Sequence, residues 1–309
     1  MSNDVLLLAF DCLDQRSAPL KDAIASARTV AKSFDLQMRA VSVLSPDQIG
    51  WPDDFTGPWK EEFEKKGRIA FTQFLRKNGA YRNLESEILF QPYRSRNENV
   101  STLVQTAERK KAKAITVFTH VRGANRIAYP GGFVSTLIHR SGAPVLAINA
   151  RSPSLRNMRR IMLATDLQVP SRKTFLNLIP FAKKAKAEIT LVHVLPTFMN
   201  HSLFSSAALA GGWENVEVFF EEERKNAREI AQSWQEEAEK SGIKCQHVLL
   251  HGSAAISQSL LKFSSKIKAD LVVVSEKTGP FASVVLGSVT RDLLSSSDIP
   301  VLIFPGDRR

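Results

Sequence analysis

The sequence is poor in cysteine and contains no long apolar run. Its two cysteines, Cys12 and Cys245, cannot form a disulfide framework, and neither has a second ligand at metal spacing. We therefore expect two reduced thiols with no metal or redox role. The apolar run from Val5 to Phe10 is far shorter than the roughly 18 residues that cross a bilayer, and the first residues carry no basic leader. These absences predict a cytoplasmic protein without a membrane span.

The common catalytic motifs are also missing. The chain contains no Gly-x-x-x-x-Gly-Lys-Ser/Thr, Gly-x-Gly-x-x-Gly, Gly-x-Ser-x-Gly, Cys-x-x-Cys or His-Glu-x-x-His sequence. Their absence removes the usual grounds for proposing a kinase, dehydrogenase, hydrolase or zinc enzyme. His120, His247 and His251 have no acidic or cysteine partner at metal-ligand spacing. We expect neither catalysis nor a metal site.

Positive charge is in excess but is spread evenly along the chain. The net charge of +11 arises from 42 basic and 31 acidic residues. Residues 1–150 contain 21 basic and 15 acidic residues, and residues 151–309 contain 21 and 16. An even spread is typical of a solvated basic surface rather than of a nucleic-acid-binding arm. On the sequence alone, we do not expect a nucleic-acid partner.

The two halves of the chain repeat one pattern. An apolar run ends at Asp11 and another ends at Asp166, 155 residues later. Pro144 and Pro300 each precede a final apolar run and are 156 residues apart, as are Gly131 and Gly287. A nearly constant offset across whole domains indicates duplication of one fold.

Each half alternates short apolar strands with amphipathic helices at the spacing of βαβ units. Because the strands are rich in Val, Ile and Leu without alternation, they should be buried on both faces. The sequence thus predicts an α/β fold with two Rossmann-like domains, each a five-stranded parallel sheet with helices on both faces. Turn-forming residues near Pro153 predict a first domain at 1–150, a linker at 151–156 and a second domain at 157–309. The strands are expected at 5–10, 38–44, 87–90, 114–118, 145–148, 161–165, 189–194, 246–250, 271–275 and 301–304.

Candidate site residues lie where the carboxyl ends of the strands are expected, which is where such sheets bind ligands. Asp11 and Asp166 each follow a first strand. Their carboxylates could accept hydrogen bonds from ribose hydroxyls, or they could brace the following loop. Gly131-Gly132 and Gly287-Ser288 precede the last helix of each half. These glycines could let main-chain amides approach a phosphate, or they could serve only the turn and the helix cap.

The second half resembles the universal stress protein family. The resemblance rests on four blocks: Arg160 to Asp166, Glu188 to Val194, His251 to Ala255, and Asp270 to Phe304 with its Val-Leu-Gly-Ser-Val-Thr-Arg-Asp segment. Residues 4–148 resemble the same domain more weakly. The whole chain is therefore similar to a tandem, bacterial type of universal stress protein. This resemblance implies an adenine nucleotide alpha hydrolase-like fold, pairing of the final strands of the two domains, and a stress-response role; it also allows a homodimer.

ATP-binding members of that family hold the phosphates on a pattern of Gly, two residues, Gly, nine residues, Gly and then Ser or Thr. Counting back from Gly287 places Val274 and Lys277 at the first two glycine positions, and counting back from Gly131 places Phe118 and Val121 there. A side chain at these positions crowds the approach of main chain to phosphate, although Lys277 could supply a compensating charge.

The resemblance carries a candidate nucleotide site over only in part. In the second domain the matching residues are Asp166, Val194 at the base-contacting position, Lys277, Gly287 and Ser288; in the first they are Asp11, Val43, Gly131 and Gly132. The hypothesis is a non-enzymatic regulatory binding protein with weak or absent ATP binding, its regulatory partner or ligand being unknown. One alternative is an ATP or AMP switch, or a slow ATPase, that uses the second domain.

A further alternative starts from an apolar insertion. Residues 198–213 form a long uncharged segment, and the matching 50–59 segment is aromatic. Such segments can act as lids, pack between domains, or line a cavity for an apolar or lipid-like metabolite.

Overall fold

The structure is a computed structural model of the whole chain. It describes residues 4–12, 20–46, 58–79, 84–93, 95–119, 132–150, 152–195, 213–251, 255–276 and 287–306. The strands are β1 (Val5–Phe10), β2 (Gln37–Leu44), β3 (Glu85–Phe90), β4 (Ala112–Thr119), β5 (Val145–Asn149), β6 (Arg160–Ala164), β7 (Glu188–Leu195), β8 (Cys245–His251), β9 (Leu271–Ser275) and β10 (Val301–Phe304). The described helices are α1 (Lys21–Ser33), α2 (Pro58–Lys77), α3 (Arg96–Arg109), α4 (Phe133–Arg140), α5 (Val169–Ala185), α6 (Trp213–Lys240), α7 (Ile256–Lys266) and α8 (Ser288–Ser296).

The chain divides into two compact units whose limits differ from those of the repeat. The first unit comprises residues 1–158 together with 276–309, and the second comprises residues 159–275. The domain limits of 1–150 and 157–309 describe the duplicated segments and stay a prediction. By compactness, the last 34 residues group with the first unit.

In the first unit, five parallel strands have the order β3-β2-β1-β4-β5. This arrangement confirms the predicted parallel sheet of an α/β fold. The final strand β10 pairs antiparallel with β5, with Val301 opposite Ala147 and Ile303 opposite Val145. Asn149 donates a hydrogen bond of 3.4 Å to the carbonyl of Ser297, and His139 pairs with Glu276. These contacts attach the C-terminal segment to the first unit.

The second unit contains four parallel strands in the order β9-β6-β7-β8. Strands β6, β7 and β9 are largely buried, whereas the edge strand β8 is only half-buried. Phe175 of α5 is fully enclosed. Its ring stacks on Trp234 of α6 with a centroid distance of 5.3 Å. The guanidinium of Arg172 lies over both rings, at 5.6 Å and 5.3 Å, and pairs with Glu237. The apolar stripes predicted for these helices therefore form the core.

Several helices end in a left-handed residue that is not glycine. Asp35, Lys111, Lys186 and Lys268 follow α1, α3, α5 and α7 and have φ values between 51° and 56°. After α5, the Ala187 amide donates to the Ala182 carbonyl at 3.0 Å, and after α7 the Ala269 amide donates to Ser264 at 2.9 Å. This six-to-one bond is the Schellman helix ending, in which glycine is the preferred left-handed residue.

Candidate ligand sites at the carboxyl ends of the strands

In both units the ligand crevice of an open parallel sheet falls beside the first strand of the repeat. Strand order reverses between β1 and β4 in the first unit, and between β6 and β9 in the second. Ligands of such sheets bind beyond the carboxyl ends of the two strands at this point. The residues that end these strands therefore decide what each unit can accommodate.

The crevice of the first unit contains a cluster of aromatic rings. Phe10 ends β1, and its ring stacks on that of Phe118 in β4, with a centroid distance of 5.1 Å and an interplanar angle of 11°. The ring of Phe10 also lies 5.3 Å from Phe74 and 6.5 Å from Phe71, both in α2. Phe118 holds the position of the first glycine of the family pattern. A phenyl ring therefore lies where a phosphate-binding loop needs bare main chain.

The polar groups next to this cluster are largely enclosed. Asp11 is half-buried, while Val43 is only 8% exposed. The hydroxyl oxygen of Ser42 lies 2.9 Å from the Phe10 carbonyl oxygen and 3.2 Å from the sulfur of Cys12. Burial, assisted by the nearby charge of Asp11, raises the pKa of Cys12 to about 11. The thiol is therefore protonated and weakly nucleophilic at neutral pH.

Gly132 is explained by the protein's own contacts. It is the N-cap of α4 with a φ of 54°, which favours glycine. A Cβ at this position would collide with the guanidinium of Arg96, at the start of α3. Gly131 and Val121 lie outside the described residues. The turn and the approach of Arg96 thus account for this glycine without a ligand.

In the second unit, Asp166 braces the loop after β6. Its Oδ1 accepts a hydrogen bond from the Gln168 amide at 3.1 Å and one from the Ser171 hydroxyl at 2.6 Å. This geometry is the loop-bracing role that the sequence left open. A carboxylate can accept about four hydrogen bonds, so bracing does not exhaust its capacity. Asp166 is half-buried and retains access to solvent.

His193 is a site residue that the sequence analysis did not single out. Its Nδ1 lies 2.9 Å from the carbonyl oxygen of Thr165. Because a carbonyl can only accept, we assign the Nδ1 proton to this bond, which leaves Nε2 as an acceptor in the neutral ring. Ser42 makes the same contact to Phe10 in the first unit. Ser42 and His193 immediately precede Val43 and Val194, which match between the two repeats. Comparison of the repeats could therefore have shown that Ser42 and His193 occupy equivalent positions.

Small side chains replace the aromatic pair in the second unit. The counterparts of Phe10 and Phe118 are Thr165 and Val274, which are 8% and 4% exposed. The Thr165 hydroxyl accepts the Leu167 amide at 2.9 Å. Val194 is half-buried on β7, next to the end of β6. Asp166 and Val194 therefore lie at the carboxyl ends of the neighbouring strands β6 and β7, and their role as a nucleotide site stays a prediction. Lys277 lies outside the described residues.

Gly287 and Ser288 belong to the first unit by compactness. Gly287 is the N-cap of α8 with a φ of −54°, a conformation open to any residue. No described atom lies within 4 Å of the position that a Cβ would take there. Ser288 is exposed and makes no capping hydrogen bond recorded for this helix. Neither the turn nor packing within the described chain therefore requires glycine at 287.

Two further searches covered the described residues. In those ranges, no three His, Cys, Asp or Glu side chains lie together as metal ligands would. No helix there combines the length and apolar character needed to cross a bilayer. The apolar insertion falls outside the described ranges up to residue 212, as does its counterpart up to residue 57.

The parallel sheets with their connecting helices define an α/β protein of the Rossmann-like type. The model of the universal stress protein family matches residues 157–305. The second half of the chain thus belongs to the universal stress protein family, which confirms the resemblance expected from its sequence blocks. No curated protein sequence matches the chain.

Solved structures extend the likeness to both halves. A universal stress protein from Archaeoglobus fulgidus DSM 4304 has a TM-score of 0.64 and 14% identity, covering 99% of this chain and 97% of its own. A putative universal stress protein from Pseudomonas aeruginosa UCBPP-PA14 has a TM-score of 0.56 and 14% identity, covering 98% and 92%. At this identity the likeness shows the fold alone. It confirms two α/β halves in tandem.

Proposed function

We propose that this chain is a non-enzymatic regulatory binding protein of the universal stress type, acting in the cytoplasm. In this proposal the first crevice is closed, and any small-molecule ligand is held by the second repeat. The observation that carries the proposal is the stacked pair of Phe10 and Phe118, at 5.1 Å. It occupies the place where strand order reverses, and hence where a ligand would enter.

The second repeat supports weak rather than tight nucleotide binding. Its first-strand end carries Thr165 and Asp166, which leave more room than two phenyl rings do. However, Val274 stands at a glycine position of the family pattern and is a buried side chain. An adenine nucleotide therefore fits the first repeat poorly and the second only in part. Asp166 would accept hydrogen bonds from a sugar, and Val194 would contact a base.

Calorimetry with ATP and AMP, each with and without magnesium, tests this proposal. We expect no binding to the full chain tighter than about 100 μM, because two of the three glycine positions of the family pattern carry side chains in each repeat. Replacing Phe118 with Ala should leave this result unchanged, since Val121 still occupies the second glycine position. Magnesium-dependent binding of ATP in the low micromolar range would show that the site is intact and that the proposal is wrong.

A second candidate, an ATP or AMP switch, is favoured by Gly287. The described chain gives no reason for glycine there, so a ligand's approach to the start of α8 would explain it. In that case Gly287→Val abolishes nucleotide retention while the thermal midpoint stays within a few degrees. Under the proposed function, the same variant has no effect on nucleotide because little is bound. Mass spectrometry of molecules that co-purify with the native protein separates both from an apolar-metabolite binder.

A further inference from the structure

The amino-terminal edge of the second unit's sheet is strongly basic. Main-chain hydrogen bonds tie the strand starts together: Glu188 to Arg159 at 2.8 Å, Ile189 to Lys244 at 2.9 Å, and Asp270 to Arg160 at 2.8 Å. Helices α5 and α7 also end at this edge, because Lys186 and Lys268 lie two residues before Glu188 and Asp270. Helix α6 ends at the same edge, at Lys240. Counted with the last helical turns, the edge carries nine cationic residues, Arg159, Arg160, Lys183, Lys184, Lys186, Lys240, Lys244, Lys266 and Lys268, and four acidic ones, Glu188, Glu237, Glu239 and Asp270.

The carboxylates at this edge are already engaged. Glu237 pairs with Arg172, and Glu239 accepts a hydrogen bond from the Gln235 side chain at 2.9 Å. Asp270 accepts the amides of Arg159 and Arg160, both at 2.9 Å, and lies 3.9 Å from the Arg160 side chain. Glu188 pairs with Lys244 at 2.7 Å. The side chains of Arg159, Lys183, Lys186, Lys266 and Lys268 are exposed. The positive charge that is spread evenly along the sequence is therefore concentrated in space, because consecutive αβ connections return to the same edge.

Lysine at the left-handed helix ends points to selection for charge. Lys186 and Lys268 have φ values of 51° and 52°, where glycine would be less strained. A cation in the last helical turn interacts favourably with the helix dipole, but Lys183 and Lys266 already provide this in α5 and α7. Stability alone would favour glycine at 186 and 268. Lysine at both positions adds two exposed charges to this edge despite the strained backbone.

The chemistry of the edge fits a duplex phosphate backbone. Lysine is a point charge suited to phosphate rather than to reading bases. The exposed large apolar side chains described in this unit, Val169, Leu176, Val218 and Ile256, belong to the starts or middles of helices. None of the exposed large apolar side chains described in this unit therefore lies at the edge, where insertion into a membrane or stacking on single-stranded bases would need one.

We propose that the amino-terminal edge of the second unit binds the phosphate backbone of double-stranded nucleic acid without sequence specificity. Four strand starts at a spacing of about 4.8 Å span about 15 Å. Duplex DNA presents roughly nine phosphate charges over that length. This surface lies at the opposite end of the strands from Asp166 and His193, so occupation of the ligand crevice and of this edge are separate properties.

Fluorescence anisotropy of a labelled random-sequence duplex of about 25 base pairs tests the proposal with the full chain. We expect binding at about 50 mM salt that weakens steeply as salt rises. The double variant Lys186→Gly, Lys268→Gly should lose affinity about tenfold or more, and its salt slope should fall by roughly 2. Because glycine relieves the left-handed strain, its thermal midpoint should equal or exceed that of the parent. A loss of binding therefore cannot be attributed to unfolding.

A matched control removes two charges from another face. Lys225 and Arg228 are exposed on α6, and Arg228 lies about 18 Å along the helix from its last residue. The variant Lys225→Gln, Arg228→Gln should bind the duplex within about twofold of the parent. Equal losses in both variants, or no duplex binding at about 50 mM salt, would overturn the proposal. Binding to phosphatidylserine vesicles without binding to the duplex would also overturn the proposal.

Discussion

If stacked rings close the first crevice, Phe10 and Phe118 must be energetically coupled. Phe10 is 5% exposed and touches three other rings. Replacing Phe10 with Ala should therefore cost about 3–5 kcal/mol, as for other buried phenylalanines. Phe118 is half-buried, so Phe118→Ala should cost about 2 kcal/mol. Stacked aromatic pairs contribute about 0.5–1.5 kcal/mol beyond their buried area. The double variant should thus cost about 1 kcal/mol less than the two single variants together.

Urea unfolding followed by circular dichroism measures all four proteins of this cycle. Phe63 provides the control, since its ring contacts Phe90 at 6.1 Å rather than the cluster at Phe10. Phe63→Ala combined with Phe10→Ala should be additive within about 0.5 kcal/mol. Additivity of Phe10→Ala and Phe118→Ala within the same margin would refute the reasoning, because the two rings would then fill separate spaces rather than one crevice.

Three further predictions concern stability. Because burial raises the Cys12 pKa from 9.0 to about 11, the unfolded chain loses this proton first as pH rises. Stability should therefore fall by about 1.4 kcal/mol between pH 8 and pH 10 on account of Cys12. Burial also raises the pKa of Cys245 to about 12, which adds a loss of similar size, so Cys12→Ala should remove about half of the thiol-dependent loss seen in urea melts. Gly67→Ala should cost about 1–3 kcal/mol, because its Cβ would overlap the buried Leu44 side chain; Gly142→Ala, with open space around it, should change stability by less than about 0.5 kcal/mol. A hydrogen bond and charge from Lys110 lower the pKa of Glu87. The stability that ionised Glu87 contributes is therefore present above the ordinary pKa of a glutamate and is lost as the pH falls through the lowered pKa. Glu87→Gln should reduce the acid dependence of the thermal midpoint.

Most of the fold could be predicted from the sequence because its strands are short and strongly apolar. The expected strands at 5–10, 271–275 and 301–304 and the helix at 288–296 coincide with β1, β9, β10 and α8. Strand β3 begins two residues earlier than expected, at Glu85. Its first residues are polar and exposed, so the apolar pattern that predicts a strand is absent there. The pairing of β10 with β5 agrees with what the family resemblance implied for the final strands, whereas the grouping of residues 276–309 with the first unit by compactness has no signal in the repeat.

The positions of the candidate site residues along the strands could be predicted from the sequence, but their contacts in the folded chain could not. Counting from Gly131 located Phe118, yet only the folded sheet brings its ring onto Phe10. Asp166 was correctly placed at a strand end, while its bonds to Gln168 and Ser171 depend on the local turn. His193 was missed because a lone histidine in an apolar strand has no motif around it. Charge counting by sequence halves likewise missed the basic edge, which forms only when several connections meet.

The first unit is built from two separate stretches of the chain, and this affects the order in which its parts become available during synthesis. Residues 1–158 must wait for residues 276–309 before that unit is complete, whereas residues 159–275 form an uninterrupted stretch. At about 5–20 residues per second, synthesis from residue 158 to the end of β10 takes roughly 7–30 s. During this interval the β5 edge has no β10 to cover it and is open to pairing with another strand. The inserted unit can mature earlier than the unit that encloses it in sequence.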